Sequence, residues 1–226
     1  MINKAIFDKY CSDYISKIEQ RDEAHLLPWE CQKNFQENWD IEELDFAAMF
    51  DRSVHSNVSV RLWKRDGYFP KEVMMDFIAL DKEFTRQMFR DLFNEAKEAE
   101  GRVRRFVYHC DIFLEELKKK HKLASAHFHD DLYMPSLYLG LKYPAIYTTY
   151  SYGLFRGFME KLGAKNLPIV DDVERYFKVM KVIQKLMLQN EELQGKLDEW
   201  RKEPIYYQGT SLFLAQDFEH FVLSSV

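Results

Sequence analysis

Residues 127–163 read HFHDDLYMPSLYLGLKYPAIYTTYSYGLFRGFMEKLG, a stretch in which aromatic rings crowd around Pro144. These rings belong to Tyr133, Tyr138, Tyr143, Tyr147, Tyr150, Tyr152, Phe155 and Phe158. Each ring can remove a large apolar area from water, and a buried tyrosine hydroxyl can form hydrogen bonds, so the stretch predicts an aromatic-rich core. The alternative is that some tyrosine rings stack on extruded or single-stranded bases.

On both sides of this stretch, apolar residues recur every three or four positions, which is typical of amphipathic helices. The pattern covers residues 2–18 and 102–121, after an interruption expected at Gly101, and its longest stripe runs from Asp171 to about Lys202. No segment shows sustained alternation with a period of two, the mark of a half-buried strand. The sequence therefore predicts a mainly α fold.

Several residues predict where helices begin. Pro28 and Pro70 suit first turns, because a helix needs no backbone donor there. Asp81 is a predicted N-cap. Asp40, with Glu43 three residues later, resembles a capping box at the start of a further helix.

Length and composition favour one helical domain over residues 1–226. Eight glycines and six prolines are scattered along 226 residues, so no flexible linker divides the chain. Lys and Arg number 32 against 37 Asp and Glu, which gives a formal net charge of −5. Because DNA binding depends on counterion release by a basic face, this chain would need to concentrate its cations locally.

The sequence also points to a compartment. Cys11, Cys31 and Cys110 are odd in number and widely spaced, unlike a disulfide framework or a CxxC zinc site. Charged residues interrupt the first ten positions, where a signal peptide needs an apolar run. No window approaches the ~18 apolar residues of a membrane span. We therefore expect a protein of the reducing cytoplasm with no membrane partner.

Several segments of the sequence resemble segments of one known protein family. They are SLYLGLKYPAIYTTYSYGLFRGFMEKLGAKN, DDVERYFKVM and YYQGTSLFLAQDFEHFV, with DFAAMFDRSV, YFPKEVMMDFI and FRDLFNEAKEAEGRVRRFVYHCD upstream. These segments resemble the N-terminal helical region of bacterial McrB-type restriction GTPases, which belong to the AAA family. The resemblance covers about residues 40–222, and residues 1–39 add N-terminal helices.

The resemblance implies a non-catalytic module for DNA recognition or assembly in a modification-dependent, anti-phage restriction system. The implied partners are DNA and AAA-type motor or nuclease subunits. The phosphate-binding patterns GxxxxGK[ST] and GxGxxG are absent from the sequence, so we expect no enzyme activity and no cofactor. The alternative is a helical protein–protein interaction domain that does not bind nucleic acid, with an apolar patch along the longest or the last helix.

Cations on one predicted helix are the candidate contacts to DNA phosphates. They are Arg102, Arg104, Arg105, Lys118, Lys119, Lys120 and Lys122, which Arg61, Lys64 and Arg65 would join if folding brought them together. The alternative is a solvated helix face, because lysines near a helix C-terminus are favourable without any ligand.

The HxHDD segment contains weak candidate metal ligands, namely His127, His129 and Asp131. No third element stands at a known distance, and histidines two residues apart would face different sides of a helix. We therefore expect no metal and assign the segment to the polar start of a helix near Pro135.

Overall fold

The computed structural model describes residues 2–20, 23–54, 60–63, 66–121, 125–201 and 203–225. The first half contains α1 (Lys4–Lys17), α2 (Leu27–Asn38), α3 (Phe46–Val54), α4 (Val60–Trp63), α5 (Pro70–Leu80) and α6 (Lys82–Leu92). The second half contains α7 (Ala99–His121), α8 (Tyr133–Lys142), α9 (Tyr152–Lys161), α10 (Val173–Met187), α11 (Glu191–Trp200) and α12 (Phe213–Ser224). These described ranges contain no β-strand, so the prediction of a mainly α fold is confirmed.

Three predicted helix starts are confirmed. Pro28 lies in the first turn of α2. Pro70 occupies the first turn of α5. The Asp81 carboxylate accepts a hydrogen bond from the backbone N–H of Phe84 at 2.9 Å, which satisfies one of the donors left over at the start of α6.

The capping box predicted at Asp40 is wrong, because Asp40 serves a turn and the helix begins later. Asp40 Oδ1 accepts from the N–H of Glu42 at 2.9 Å, which closes a local Asx-type turn. Asp45 is the residue whose side chain accepts from the N–H of Ala48, at 3.0 Å, and α3 starts at Phe46. Gly101 also differs from its prediction, since α7 runs through it.

The long helix predicted from Asp171 to Lys202 is two helices. α10 ends at Met187, and the Asn190 side chain accepts from the N–H of Leu193 at 3.0 Å to begin α11. Asparagine is a strong N-cap because its side chain replaces a missing backbone acceptor, so the chain can restart a helix without extending the previous one. The apolar stripe continues across the break, which is why the pattern alone suggested one helix.

The helices share a core rich in aromatic rings. Phe89 of α6 is fully buried and lies at its centre, with ring centroids between 5.1 and 6.1 Å from six other rings. Those rings are Trp39, Phe46, Phe50, Phe93, Phe106 and Tyr138. The predicted aromatic-rich core is therefore confirmed.

The tyrosines of the 127–163 stretch contribute to this core and to its polar links. Tyr138 and Tyr150 are buried, and the Tyr143 hydroxyl donates to the carbonyl of Phe93 at 2.7 Å. Gly140 lets α8 approach the segment that follows it, since a Cβ there would lie 3.1 Å from Thr148 Cα. No helix in the described part of the chain is both long enough and apolar enough to cross a membrane.

Candidate functional site

The exposed face of α7 has both signs of charge. Arg104 Nε donates to Glu100 at 2.8 Å, and Lys118 and Lys119 form ion pairs with glutamates one turn earlier, at 2.8 and 2.7 Å. Arg105 and Lys120 are exposed, and no ion pair among the described residues involves either of them. The cations predicted to contact phosphates thus lie on a surface whose charge is largely compensated by neighbouring carboxylates.

Arg102 does not belong to this surface, because its side chain is buried. Its guanidinium donates to the Leu92 carbonyl at 2.7 Å and the Tyr147 hydroxyl at 2.6 Å, and forms an ion pair with Glu95 at 2.7 Å. Burial and the hydrogen bond to Glu95 raise the pKa of Tyr147 to about 12. Arg102 therefore joins the start of α7 to the end of α6. Lys122, Lys64 and Arg65 lie outside the described residues, as does the side chain of Arg61.

His127 and His129 lie in the connection between α7 and α8, and both point into the protein. His127 Nε2 lies 2.9 Å from Asp111 Oδ1, and its Nδ1 accepts from the N–H of His129 at 3.0 Å. The ring of His129 contacts the His127 carbonyl through Nδ1, and its Nε2 lies 3.3 Å from the Tyr138 hydroxyl. Burial lowers the pKa of His129 to about 3, so its imidazole is neutral.

Cys110 of α7 completes this cluster. One ligand atom each from Cys110, His127 and His129 lies within 4.8 Å of the other two, and all three residues are buried. Asp131, the other weak candidate, is exposed and accepts from the N–H of Tyr133 at 3.0 Å, where it serves the start of α8. The same connection contains Phe128 and Leu132, with φ of 61° and 62°. Such values are uncommon in residues other than glycine.

The outer face of α10 borders a groove of about 520 Å³. Its apolar lining comes from Ile2, Met159, Val179, Val182 and Ile183. Its polar edge comes from Asp172, Glu174, Arg175 and Lys178. Val182 has 54% of its side chain exposed. Together with the apolar residues of the groove, Val182 forms a contiguous apolar surface of the kind that a partner protein covers.

A buried polar network lies on the opposite, inner side of α10. The Tyr176 hydroxyl is 2.7 Å from the Thr149 carbonyl and 3.1 Å from Glu219 Oε2 of α12. Burial raises the pKa of Glu219 to about 8, and that of Tyr176 well above its ordinary value. Glu219 is 1% exposed, which leaves no room for a substrate at the carboxyl group, so this network serves packing.

Comparisons with protein-family models, with curated proteins and with solved structures found no match to this chain. Its function is therefore argued from its surfaces and clusters.

The surroundings of two buried residues, Cys110 and Glu219, were not predicted from the sequence. Cys110 lies in the periodic segment 102–121, and nothing in its spacing showed that the chain after α7 folds back to place two histidines beside it. Glu219 stands in a polar pair with His220, which is usual on a solvated helix face, yet α12 is buried so deeply that Glu219 is enclosed. The only sign of this burial in the sequence was the pair of apolar residues, Phe218 and Phe221, on either side of Glu219 and His220.

Proposed function

We propose that this chain is a non-catalytic assembly module that associates with a second copy through the outer face of α10. The observation that carries the proposal is the exposed Val182 beside half-buried Val179, over an apolar groove. Exposed apolar surface of this kind is stabilised when a partner removes it from water. An apolar patch was expected along the helix predicted from Asp171 to about Lys202, and α10 forms the first part of that segment.

The charges along α10 favour a second copy in antiparallel orientation. Asp171, Asp172 and Glu174 lie at its N-terminal end, and exposed Lys185 lies in its last turn. An antiparallel neighbour would bring the acidic end of one helix beside Lys185 of the other, with Val179 at the middle and Val182 one turn away. Lys178 would then lie near its own counterpart, where its long stem can direct the ammonium group towards solvent. Opposite helix dipoles would also pair favourably.

The resemblance to the N-terminal region of McrB-type restriction GTPases also supports a non-catalytic assembly module. Such a module would gather AAA-type motor or nuclease subunits of an anti-phage restriction system in the cytoplasm. The three cysteines of the chain are buried and are not disulfide-bonded, which suits a reducing compartment.

Replacing Val182 by Glu is expected to make the protein monomeric. A carboxylate at this apolar position would lose hydration that it keeps in the monomer, so we expect the dimer dissociation constant to rise at least ~30-fold, which is about 2 kcal/mol. Sedimentation equilibrium over a range of concentrations measures it. The matched control is Leu44→Glu, the same change of chemistry at a side chain that is 86% exposed, and it should associate like wild type.

A wild-type protein that stays monomeric at ~100 µM would contradict self-assembly, since specific dimers of standard size associate well below that concentration. Equal association by wild type and Val182→Glu would show that copies meet through another surface.

DNA recognition is the second candidate, and Tyr108 is the observation that favours it. Its ring is 61% exposed on α7, close to Arg105. Arg105 and Lys120 lie 15 residues apart on one helix, or ~22 Å at 1.5 Å per residue, so they could contact separate phosphates. Exposed aromatic rings between cations can stack on bases while the cations contact the backbone.

The DNA candidate predicts a mobility shift that weakens steeply as salt rises. Duplex, methylated and single-stranded DNA are compared at two salt concentrations. Arg105→Glu combined with Lys120→Glu should abolish the shift, whereas Lys165→Glu, at an exposed lysine outside α7, should change it little. Absence of a shift with all three DNAs would remove this candidate and leave the assembly module.

A further inference from the structure

We propose that Cys110, His127 and His129 bind one zinc-type divalent cation that fastens the α7–α8 connection to α7. The three potential ligands come from two separate parts of the chain, and their donor atoms already lie within 4.8 Å of one another. The two reasons for expecting no metal do not hold in the folded chain. The histidines lie in a connection rather than on a helix, and Cys110 supplies the third element.

The donor set selects the class of metal. A thiolate and two imidazoles suit Zn²⁺, which prefers sulfur and nitrogen ligands, over Mg²⁺ or Ca²⁺, which prefer oxygen. Zinc lies ~2.0–2.3 Å from such ligands, so neighbouring ligand atoms of a tetrahedral site are ~3.5 Å apart. The cluster would therefore contract by about 1 Å, a shift that side-chain rotations can supply.

His129 is already oriented as a ligand. A carbonyl oxygen can only accept, so Nδ1 must carry the proton that it shares with the His127 carbonyl. The lone pair is then on Nε2, which faces the Tyr138 hydroxyl at 3.3 Å within the buried cluster. A ring N–H bonded to a backbone carbonyl is the usual second contact of a metal-binding histidine, because it fixes both the tautomer and the ring orientation.

His127 is oriented by a carboxylate in the same way. Asp111 accepts from Nε2, which places the lone pair on Nδ1. That lone pair now accepts from the N–H of His129 at 3.0 Å, so metal binding would replace this hydrogen bond with a coordinate bond. The Cys110 thiol would release its proton to solvent and bind as a thiolate. The Tyr138 hydroxyl, 3.3 Å from His129 Nε2, is placed to be the fourth ligand.

The cation would be structural. Cys110 and His129 are fully buried, so a substrate cannot reach an open position, as it does in catalytic zinc sites. The bonds would instead stabilise a connection that contains two residues with positive φ, Phe128 and Leu132. The proposal is independent of self-association, since the cluster lies on α7 and in the α7–α8 connection, not on α10.

The test uses Co²⁺ as a spectroscopic substitute for zinc. Wild-type protein is treated with a chelator and titrated with Co²⁺ while absorption is recorded. We expect saturation at one Co²⁺ per chain, with a thiolate-to-cobalt charge-transfer band in the near ultraviolet. Cys110→Ser should lose this band. Cys11→Ser, at a buried cysteine of α1, should keep it.

The contact between Asp111 and His127 gives a further readout. Asp111 is exposed, and Asp111→Asn should weaken Co²⁺ binding by about 10-fold while the charge-transfer band remains. Zinc should raise the thermal midpoint of chelator-treated wild type, because a cation that binds only the folded chain stabilises it. The wild-type titration decides the question even where a variant fails to fold. Absence of binding, or binding without the charge-transfer band, would overturn the proposal.

Discussion

Glu219→Gln is expected to be more stable than wild type by less than about 1 kcal/mol at pH 5 and by about 4 kcal/mol at pH 8. The reason is that Glu219 is enclosed by protein, which raises the pKa of its carboxyl group from 4.5 to about 8. Its Oε1 has no hydrogen-bond partner among the described residues, so ionisation would leave a buried charge almost uncompensated.

The hydrogen bonds of this network need more protons than Tyr176 can supply, which indicates that Glu219 is protonated and neutral. The Tyr176 hydroxyl has one proton, and its shortest contact, at 2.7 Å, is to the Thr149 carbonyl, which can only accept. The contact of 3.1 Å between Tyr176 and Glu219 Oε2 then needs a proton from Glu219. A glutamine can donate in the same position, so the substitution preserves this hydrogen bond at every pH.

The sign of the pH dependence follows from the raised pKa. Below pH 4.5 the carboxyl group is protonated in both the folded and the unfolded chain. Between pH 4.5 and 8 the folded chain keeps the proton and the unfolded chain loses it, so the free energy of unfolding falls by up to about 1.4 kcal/mol per pH unit. Above pH 8 the carboxyl group is ionised in both states, so the free energy of unfolding no longer falls. Glutamine does not titrate and removes this contribution.

Urea unfolding of wild type and Glu219→Gln from pH 5 to pH 8 measures the difference. Glu160→Gln makes the same change at an exposed glutamate of α9, and its difference from wild type should not vary with pH. If the curves for wild type and Glu219→Gln run parallel, the carboxyl group is already ionised in the folded protein.

Phe89→Ala is expected to lower the free energy of unfolding by about 3–5 kcal/mol. Phe89 is fully buried, and its ring contacts aromatic rings of α3, α7 and α8, together with the Trp39 ring that follows α2. Alanine would leave a cavity that these helices cannot close together, because each is also held by its other contacts. In a chain of this length the thermal midpoint should fall by about 10 °C.

Chemical denaturation of Phe89→Ala and of a surface control checks this expectation. Phe69→Ala removes the same side chain at a position that is 52% exposed, and its cost should stay below about 1 kcal/mol. Similar losses for both variants would show that Phe89 is not central to the core.

The sequence predicts the helices better than their ends, and the reason is physical. Apolar spacing reports which face of a helix is buried, and this was enough for the mainly α fold. A helix begins where one of several nearby polar side chains accepts a hydrogen bond from a free backbone N–H, and the spacing of apolar residues does not show which one does so. Asp40 closes its own turn while Asp45 caps α3, and Asn190 restarts a helix that the apolar stripe continues through.

The candidate sites were predicted less well because they depend on contacts distant in sequence. Arg102 stands in the basic run RVRR, yet it lies on the buried face of α7 and pairs with Glu95. Its neighbours Arg104 and Arg105 lie on the exposed face. The spacing of the two histidines was visible, but the position of Cys110 beside them depends on where the chain turns after α7.

The absence of a side chain at Gly140 has a mechanical consequence. The Gln32 side chain of α2 donates to the Gly140 carbonyl at 3.0 Å, on a helix whose other side touches the backbone of Thr148. Backbone that is packed against backbone has no flexible side chain between the two parts to absorb a displacement. α2, α8 and residues 147–150 should therefore exchange their amide hydrogens together, as one slow cooperative unit.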